Sequence, residues 1–432
     1  MMAVARFLPL LFFMVLLLVS LACACIAREL PVRERAMGAP AMDNPDAYLP
    51  TPNILAKYGY PAESHVVRTD DGYLLTMHRV PYSPKSPRRR TAGGKKPVVF
   101  LQHGLLGSSA DWIFAGVGKG LAYLLADAGY DVWLGNVRGN TYSRSHVSLD
   151  SSQPQFWDFS FHEMGYHDLP AEIDYVLETT EQRDLVYVGH SMGTTMFYVM
   201  MATRPEFGPK IRAMFSLAPV MYMGRVKSPI RLLAPFADDL EFIVHFLGAT
   251  EFLPQNKIIR FLSRYGCELF TTEEKICENS IFAITGFDDS QFNMTLLPIV
   301  LGHTPAGAST KTLIHYAQEI RSGKFQKYDY GLDGNMKRYG KATPPEYNVS
   351  AIQPPVSLHY SDNDWLANVD DVDQLYHQLP NALGKHRVPL PQFNHLDFLW
   401  AKDVKTLLYD SLLDLIHKEV HPSKSSGSRS RH

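Results

Sequence analysis

The stretch Leu185-Val186-Tyr187-Val188-Gly189-His190-Ser191-Met192-Gly193 decides the fold of this chain. Its first four residues are a short apolar run of the kind that forms a buried strand, and an apolar helical pattern follows through Met201. Between them, Gly189, Ser191 and Gly193 form a Gly-x-Ser-x-Gly motif, which is typical of a sharp strand-to-helix turn that exposes its serine. The sequence therefore predicts a strand, a tight turn that presents Ser191, and a helix.

Short apolar runs and helical patterns alternate along most of the chain on both sides of this turn. Early in the chain, Asp70-Asp71-Gly72 marks a hairpin turn between two such runs. Strands that alternate with helices favour an α/β fold, with a mostly parallel central sheet and helices on both faces. The predicted strands lie at 65–68, 73–77, 97–102, 130–135, 185–188, 214–217, 355–360 and 385–390, and helices at 121–128, 169–179 and 194–201.

The alternation stops between Pro219 and Gln353. This region has few strand signals and carries apolar helical runs at 240–247 and 258–262, so we expect a mostly helical insertion into the α/β domain. The predicted organisation is a signal peptide at 1–27, a leader or pro-segment at 28–50, core at 51–219 and 353–420, the insertion at 220–352 and a disordered tail at 421–432.

The first residues have the order of a secretory signal peptide. Arg6 precedes an apolar run at 7–21, and small residues follow at 22–27. The competing interpretation is a membrane-anchoring helix, because about 20 apolar residues span a bilayer. Ala24 and Ala27 offer small cleavage sites and favour the signal peptide. The sequence thus predicts a secreted protein with no transmembrane segment in the mature chain, and a lysosomal destination is the alternative.

Composition restricts the class of protein. The 432 residues carry a net charge of -2 and are 46% hydrophobic, which indicates a packed core and argues against a general nucleic-acid binder. After loss of the signal peptide, Cys267 and Cys277 would remain, as one disulfide or as two buried thiols. No pair of histidines accompanies them, so a zinc site is not expected. Asn293 and Asn348 begin Asn-x-Ser/Thr patterns for glycosylation.

A serine nucleophile needs a general base, because its hydroxyl reacts poorly at neutral pH. In folds with this motif the acid and then the histidine follow the serine along the chain. His395 comes just after the last predicted strand, whereas His386 lies within that strand. His395 is therefore the candidate base for Ser191.

The acid and the oxyanion donors follow from the same order of elements. Asp362 and Asp364 both follow the strand at 355–360, and their spacing does not choose between them. One oxyanion donor is expected to be the backbone N–H after the nucleophile, that of Met192. The glycine-containing loop after the strand at 97–102 supplies the second donor, which we assign to Leu105.

At this point the chain resembles the acid lipase family, which includes gastric and lysosomal acid lipases. The resemblance extends over nearly the whole mature chain and rests on many ordered matches. The matching stretches are Asp71-Gly72-Tyr73, 98–106, 128–136, Arg138-Gly139-Asn140, Asp168-Leu169-Pro170-Ala171, 187–191, Gly286-Phe287-Asp288, 322–326 and 394–400.

The resemblance implies an α/β-hydrolase fold and hydrolysis of lipid esters at a lipid–water interface, without cofactor or metal. The family places its acid in an Asp-x-Leu-Ala stretch, which here begins at Asp364. It implies that the insertion at 220–352 is a cap with a lid, and that Cys267 and Cys277 form its disulfide. Triacylglycerol is the expected substrate; cholesteryl esters or other carboxylic esters are alternatives. The oligomeric state stays open.

Two positions depart from the family pattern. Met192 stands where these lipases often have Gln, and Thr285 stands where some relatives carry a further cap cysteine. Neither departure removes a candidate catalytic residue, but both leave the preference for one lipid ester over another open. A catalytically silent lipid-binding or storage protein on the same scaffold is the rival function, and the presence of all three candidate catalytic residues argues against it.

Overall fold

The central sheet is the element that organises the molecule. A computed structural model of the protein describes residues 44–85, 95–237, 250–252 and 284–422. The strands are β1 Glu63–Arg68, β2 Tyr73–Val80, β3 Val98–Gln102, β4 Asp131–Leu134, β5 Ser145–His146, β6 Leu185–His190, β7 Ile211–Leu217, β8 Glu251–Phe252, β9 Ala308–Ser309, β10 Val356–Tyr360 and β11 Ala382–Arg387.

The main sheet has the order β1-β2-β4-β3-β6-β7-β10-β11, with β5 paired to β2. The six strands from β4 to β11 run parallel to one another, whereas β1, β2 and β5 form antiparallel pairs at one edge. Every residue of β3, β4 and β6 is buried. Burial of successive residues, which point to opposite faces, requires that both faces of the sheet be covered. The predicted α/β fold is confirmed.

Helices connect the parallel strands and complete the layers. They are α1 Thr51–Lys57, α2 Leu121–Asp127, α3 Phe161–Glu163, α4 Leu169–Thr180, α5 Met192–Thr203, α6 Leu297–His303, α7 Thr310–Ser322, α8 Gly331–Tyr339, α9 Val369–Gln378, α10 Asp397–Trp400 and α11 Asp410–Val420. A π-helical turn, Met164–Asp168, joins α3 to α4, and another, Lys405–Tyr409, leads into α11. Among the described residues, no helix is long and apolar enough to cross a membrane.

The last strand lies a few residues earlier than its apolar pattern predicts. The sequence favours 385–390, but β11 ends at Arg387. Pro389 has no N–H to donate to a neighbouring strand, so the ladder cannot continue through it. The start of β11 at Ala382 is hidden in the sequence because Gly384 is a poor strand former.

The region of the predicted insertion contains helices and one small ladder. Helices α6, α7 and α8 lie within it, and β8 pairs with β9 in a separate two-stranded sheet. The apolar runs at 240–247 and 258–262, Cys267 and Cys277 lie outside the described residues, as do the predicted signal peptide and residues 28–43. The end of the predicted leader, residues 44–50, packs against the core, where Asp46 and Ala47 are buried.

Candidate active site

The Gly-x-Ser-x-Gly motif forms a strained turn between β6 and α5. Ser191 has φ 53° and ψ -119°, a backbone conformation that residues with a side chain rarely adopt. Its N–H donates to the carbonyl of Leu217 across 3.1 Å, which fixes the turn to β7. A Cβ atom on Gly193 would lie 2.4 Å from the carbonyl oxygen of Gln102. The motif needs glycine at 193 because β3 passes too close for any side chain.

Ser191, His395 and Asp364 lie in hydrogen-bonding contact. The Nε2 atom of His395 lies 2.8 Å from Oγ of Ser191, and its Nδ1 atom lies 2.8 Å from Oδ2 of Asp364. Because a carboxylate only accepts, Nδ1 carries the proton and Nε2 is free to accept the hydrogen of the serine hydroxyl. His395 and Asp364 are buried, and Ser191 is partly accessible.

Asp364 is fixed by its own loop. Its second oxygen, Oδ1, accepts the N–H groups of Leu366 and Ala367 at 2.9 and 2.7 Å. Asp362, which spacing left as an equal candidate, instead pairs with Arg387 near the surface. His386 is also elsewhere: it stacks on His359 with the ring centres 4.9 Å apart. The structure thus brings Asp364, and not Asp362, to the histidine beside Ser191.

The sequence reasoning missed a further contact, between His190 and His395. Nε2 of His190 lies 3.0 Å from the backbone carbonyl of His395, and since the carbonyl accepts, the ring donates. Burial lowers the pKa of His190 to about 3, so the ring is neutral. His190, which occupies the variable position of the motif before Ser191, therefore holds the backbone of His395 in place. The only signal in the sequence was that a polar, ionisable residue occupies this buried turn.

The two expected oxyanion donors belong to two segments that adjoin Ser191. Met192 begins α5, and the first N–H groups of a helix have no acceptor within it. Leu105 follows Gly104, and a Cβ on Gly104 would lie only 3.0 Å from Cβ of Ser191. In the part of the chain that the structure describes, no backbone or side-chain group accepts from either N–H. Both are available beside the serine.

His103 braces the loop that carries Leu105. Its Nδ1 atom lies 2.8 Å from the carbonyl of Gly104, while Nε2 accepts the N–H of Val137 at 3.3 Å. Since Nε2 accepts, Nδ1 must be the donor. Burial lowers the pKa of His103 to about 4, which keeps the ring in this neutral form. Fixing the Gly104 carbonyl also fixes the Leu105 N–H, because the two belong to one planar trans peptide.

A segment within the predicted insertion, residues 284–288, links the loop that carries Asp364 to the loop that carries His395. The carbonyl of Thr285 accepts both the N–H of Trp365 and the N–H of His395, each at 3.4 Å. The side-chain amide of Asn394 donates to the carbonyl of Gly286 across 3.0 Å. Because these contacts of position 285 use the backbone carbonyl, the presence of Thr285 in place of a cysteine does not remove them.

One group of side chains could in principle hold a metal ion. Among the described residues, ligand atoms of Asp70, Asp71 and His167 lie within 4.8 Å of one another. The two oxygens of Asp71, however, accept from the guanidinium of Arg138 at 2.6 and 2.9 Å. The buried guanidinium of Arg138 already neutralises the Asp71 carboxylate that a metal ion would need as a ligand. Among the described residues, none of the three candidate ligands forms a hydrogen bond with Ser191.

Comparison with known proteins identifies the family. Residues 51–116 match the family model described as a partial alpha/beta-hydrolase lipase region, and residues 97–246 match the alpha/beta hydrolase fold. The chain is 45% identical to Lipase 3 of Drosophila melanogaster, over 82% of this chain and 89% of that protein. It is 41% identical to the gastric triacylglycerol lipase of Bos taurus, over 87% and 93% of the two chains.

The chain belongs to the acid lipase family. It is accordingly a lipase, a carboxylic ester hydrolase that acts on lipid esters. This acid lipase is also 38% identical to the lysosomal acid lipase/cholesteryl ester hydrolase of Homo sapiens, over 87% of this chain and 92% of that protein. A crystal structure of a protein from Sulfolobus solfataricus shares the fold, with a TM-score of 0.51 at 13% identity over 83% of this chain and 99% of that one.

Of the remaining predicted sites, the two glycosylation candidates of this acid lipase lie in the described part of the chain. Asn348 is exposed, and Asn293 is partly exposed. In each sequon Oδ1 of the asparagine accepts from the hydroxyl two residues later, Thr295 at 2.8 Å and Ser350 at 2.7 Å. Both stand at the start of short helical turns on the surface, where a glycan could be accommodated.

Proposed function

We propose that this lipase uses Ser191 as nucleophile, His395 as general base and Asp364 as the acid that orients the histidine. The observation that carries the proposal is the chain of two 2.8 Å contacts, from Ser191 Oγ to His395 Nε2 and from His395 Nδ1 to Asp364 Oδ2. This order of groups allows the proton of the serine to move to a histidine whose positive charge the aspartate then stabilises.

In the first half of the reaction the enzyme becomes acylated. His395 takes the hydroxyl proton as Oγ of Ser191 attacks the ester carbonyl, and the carbonyl oxygen becomes negatively charged. The N–H groups of Leu105 and Met192 stabilise this oxyanion, because each is preorganised and lacks a competing acceptor in the described structure. His395 then gives the proton to the leaving alcohol, and the acyl group stays on Ser191.

In the second half a water molecule replaces the alcohol. His395 removes a proton from the water as it attacks the acyl-enzyme, the same N–H groups stabilise the second oxyanion, and the proton returns to Oγ of Ser191 as the fatty acid leaves. Asp364 stays ionised throughout. The sequence of steps uses neither a metal nor a cofactor.

Triacylglycerol at a lipid–water interface is the proposed substrate. Relatives at 41% and 40% identity are gastric triacylglycerol lipases, of Bos taurus and Mus musculus. Cholesteryl ester is the second candidate, because the human relative at 38% identity is named a lysosomal acid lipase/cholesteryl ester hydrolase. The residues of the insertion, 220–352, are proposed to form the cap and lid that choose between them, since the triad itself does not determine the substrate.

We further propose that the chain is exported and modified. The signal-like residues 1–27 would be removed, Cys267 and Cys277 would form the disulfide of the cap, and Asn293 and Asn348 would carry glycans. Secretion is the favoured destination and the lysosome the alternative. Expression in a eukaryotic secretory host, with glycosidase treatment and mass determination of the product, tests all of these features together.

The decisive experiment compares the purified secreted protein with Ser191→Ala. Hydrolysis of emulsified long-chain triacylglycerol, cholesteryl ester and a short-chain ester is measured at acid and neutral pH. We expect the wild type to release fatty acid and the variant to retain binding to the emulsion without turnover. An inactive wild type on all three esters would favour the silent lipid-binding protein, and an active Ser191→Ala would exclude this serine as nucleophile.

A further inference from the structure

Two buried carboxyl groups, one of them close in sequence to His395, lie within hydrogen-bonding contact of each other. Asp397 lies two residues after His395 and is 3% exposed, and Asp288 lies at the end of segment 284–288 and is 2% exposed. Two negative charges in such a place would repel each other with little screening from water. The arrangement therefore calls for a proton on one of the two groups.

The surrounding donors indicate which group carries the charge. Oδ1 of Asp288 accepts the N–H and the hydroxyl of Ser290 at 2.9 and 2.6 Å and the N–H of Gln291 at 3.1 Å. Among the described residues, Asp397 receives one donor, the backbone N–H of Asn394, at 2.7 Å on Oδ2. In this part of the described structure, Asp397 has fewer hydrogen-bond donors than its neighbour and is therefore the better place for the proton.

One oxygen of Asp288 is left to receive that proton. Its Oδ2 atom is buried and has no hydrogen-bond donor among the described residues. Burial raises the pKa of Asp397 to about 8, and the neighbouring carboxylates of Asp288 and Asp364 act in the same direction. Asp397 is thus a neutral acid at neutral and acid pH, able to donate its O–H to Oδ2 of Asp288.

We propose that Asp288 and Asp397 share one proton, and that the resulting O–H···O hydrogen bond positions the histidine loop, residues 392–396, for catalysis. The pair joins this loop to segment 284–288, which already holds both catalytic loops through the carbonyl of Thr285. Asn394 completes the connection: its side chain accepts the N–H of Asp397 at 3.1 Å and donates to the carbonyl of Gly286.

The consequence is an upper pH limit on catalysis. The charged groups that act on the Asp397 carboxyl are the carboxylates of Asp288 and Asp364. Two further ionisable residues, His395 and Lys402, lie close to Asp397 in the sequence. The ammonium group of Lys402 donates to the carbonyl of Ser290. When the pH rises through about 8, Asp397 loses its proton, the bond to Asp288 is replaced by repulsion, and the histidine loop moves away from Ser191. This inference rests on the proposed role of His395.

The test uses variants that keep the bond but remove the titration. In Asp397→Asn the side-chain amide can donate to Asp288 at any pH while its oxygen still accepts from Asn394. In Asp288→Asn the amide of the new side chain can donate to an ionised Asp397. Asp397→Leu removes the bond altogether. Glu319→Gln is the matched control, because Glu319 is a buried carboxyl on α7 that does not contact the histidine loop.

The values of kcat and KM for a soluble short-chain ester are measured from pH 5 to 9.5, with thermal unfolding of each variant over the same range. For a group with a pKa of about 8, roughly a tenth of the molecules stay protonated at pH 9, so wild-type kcat should fall about tenfold. Asp397→Asn and Asp288→Asn should lose this decrease, and Asp397→Leu should have low kcat at every pH with little change in KM. Glu319→Gln should keep the wild-type profile.

Other outcomes overturn the inference. An alkaline limb in Asp397→Asn that superimposes on the wild type would show that no shared proton limits catalysis. A shifted limb in Glu319→Gln as well would show that the effect is not specific to the pair. If the wild type hydrolyses no ester while the pH dependence of unfolding still changes in Asp397→Asn, the proposed function fails and the shared proton stands.

Discussion

The ring of His190 donates a hydrogen bond from Nε2 to the backbone carbonyl of His395, across 3.0 Å. The residue before the nucleophile thereby holds the residue that activates it, although 205 positions of sequence separate the two. The ring centres lie 5.0 Å apart, and the ring nitrogens of His395 bond to Ser191 and Asp364 and not to His190. The contact therefore fixes the position of the His395 backbone and leaves its ring free for Ser191 and Asp364.

Replacing His190 should lower the rate of catalysis more than the binding of substrate. We expect His190→Ala to reduce kcat about tenfold, because the loss of one buried hydrogen bond, about 1–2 kcal/mol, falls on the alignment of the base. His190→Gln can offer an amide donor in the same direction and should recover part of the loss. His386→Gln, far from the site, is the control. Equal kcat for His190→Ala and wild type would show that the contact does not position His395.

The acid of the triad can be tested against a neighbour in the same loop. We expect Asp364→Asn to lower kcat by about 10³–10⁴-fold, because the amide no longer holds the histidine in the Nδ1–H form or stabilises its positive charge. Asp362→Asn removes a surface ion pair with Arg387 and should stay within about twofold of wild type. Steady-state kinetics on one ester suffices. A large loss in Asp362→Asn and a small one in Asp364→Asn would reverse the assignment.

The close approach of Gly104 to the nucleophile predicts a defect without unfolding. A Cβ on Gly104 would lie 3.0 Å from Cβ of Ser191 and 3.1 Å from Nδ1 of His190, so Gly104→Ala must displace the loop that carries the Leu105 N–H. Loss of one oxyanion donor costs about 10²–10³-fold in kcat. Gly208→Ala, whose new Cβ would have its nearest neighbour at 4.0 Å, is the control. Unchanged kcat in Gly104→Ala, with unfolding at the wild-type temperature, would contradict the assignment of Leu105.

The sequence predicted most of the fold because the parallel strands are buried on both faces. Such strands appear as short, nearly continuous apolar runs, and β3, β4 and β6 were each found within two residues of their observed ends. The prediction failed by a few residues at β11, whose exposed and partly exposed residues include a glycine and three charged or polar side chains. An edge strand of this kind owes its position to its neighbour β10 and not to its own pattern.

The candidate site was predictable where a motif or chain order applies. Ser191 came from a local pattern and His395 from its place after the last strand. The choice between Asp362 and Asp364 needed either the family pattern or the structure, because both follow β10 within four residues. The contacts of His190 and of Thr285 could not be predicted, since each involves a backbone carbonyl and a partner from a distant part of the chain, and residue type does not identify such a partner.

The stability of the protein should depend on pH in two opposite ways. Burial raises the pKa of several buried acids because it disfavours their charge. The pKa values of Asp111 and Asp397 are about 8, and those of Glu172 and Glu319 are raised well above their usual value. The pKa values of Asp131, Asp168 and Asp371 are shifted in the same direction. Burial likewise lowers the pKa of six histidines to about 3 or 4. These are His78, His103, His162, His190, His315 and His359.

These shifts predict a maximum of thermal stability near pH 6.5. The raised carboxyls stabilise the fold fully below their unfolded pKa of about 4 and lose this contribution, at about 1.4 kcal/mol per pH unit for each group, as the pH rises to their folded pKa. For Asp111 and Asp397 that loss is complete at about pH 8. The depressed histidines stabilise it above about 6.5 and lose their contribution as the pH falls to about 4. Scanning calorimetry should therefore give a Tm at pH 6.5 at least about 3 °C above those at pH 8.5 and pH 4.5. Asp111→Asn should make the fall in Tm between pH 6.5 and 8 shallower and the rise between about pH 4.5 and 6.5 steeper, because it removes one acid that opposes stability over the whole interval from its unfolded pKa to its folded pKa. A Tm that rises steadily from pH 6.5 to 8.5 would mean that these carboxyls are ionised in the folded protein.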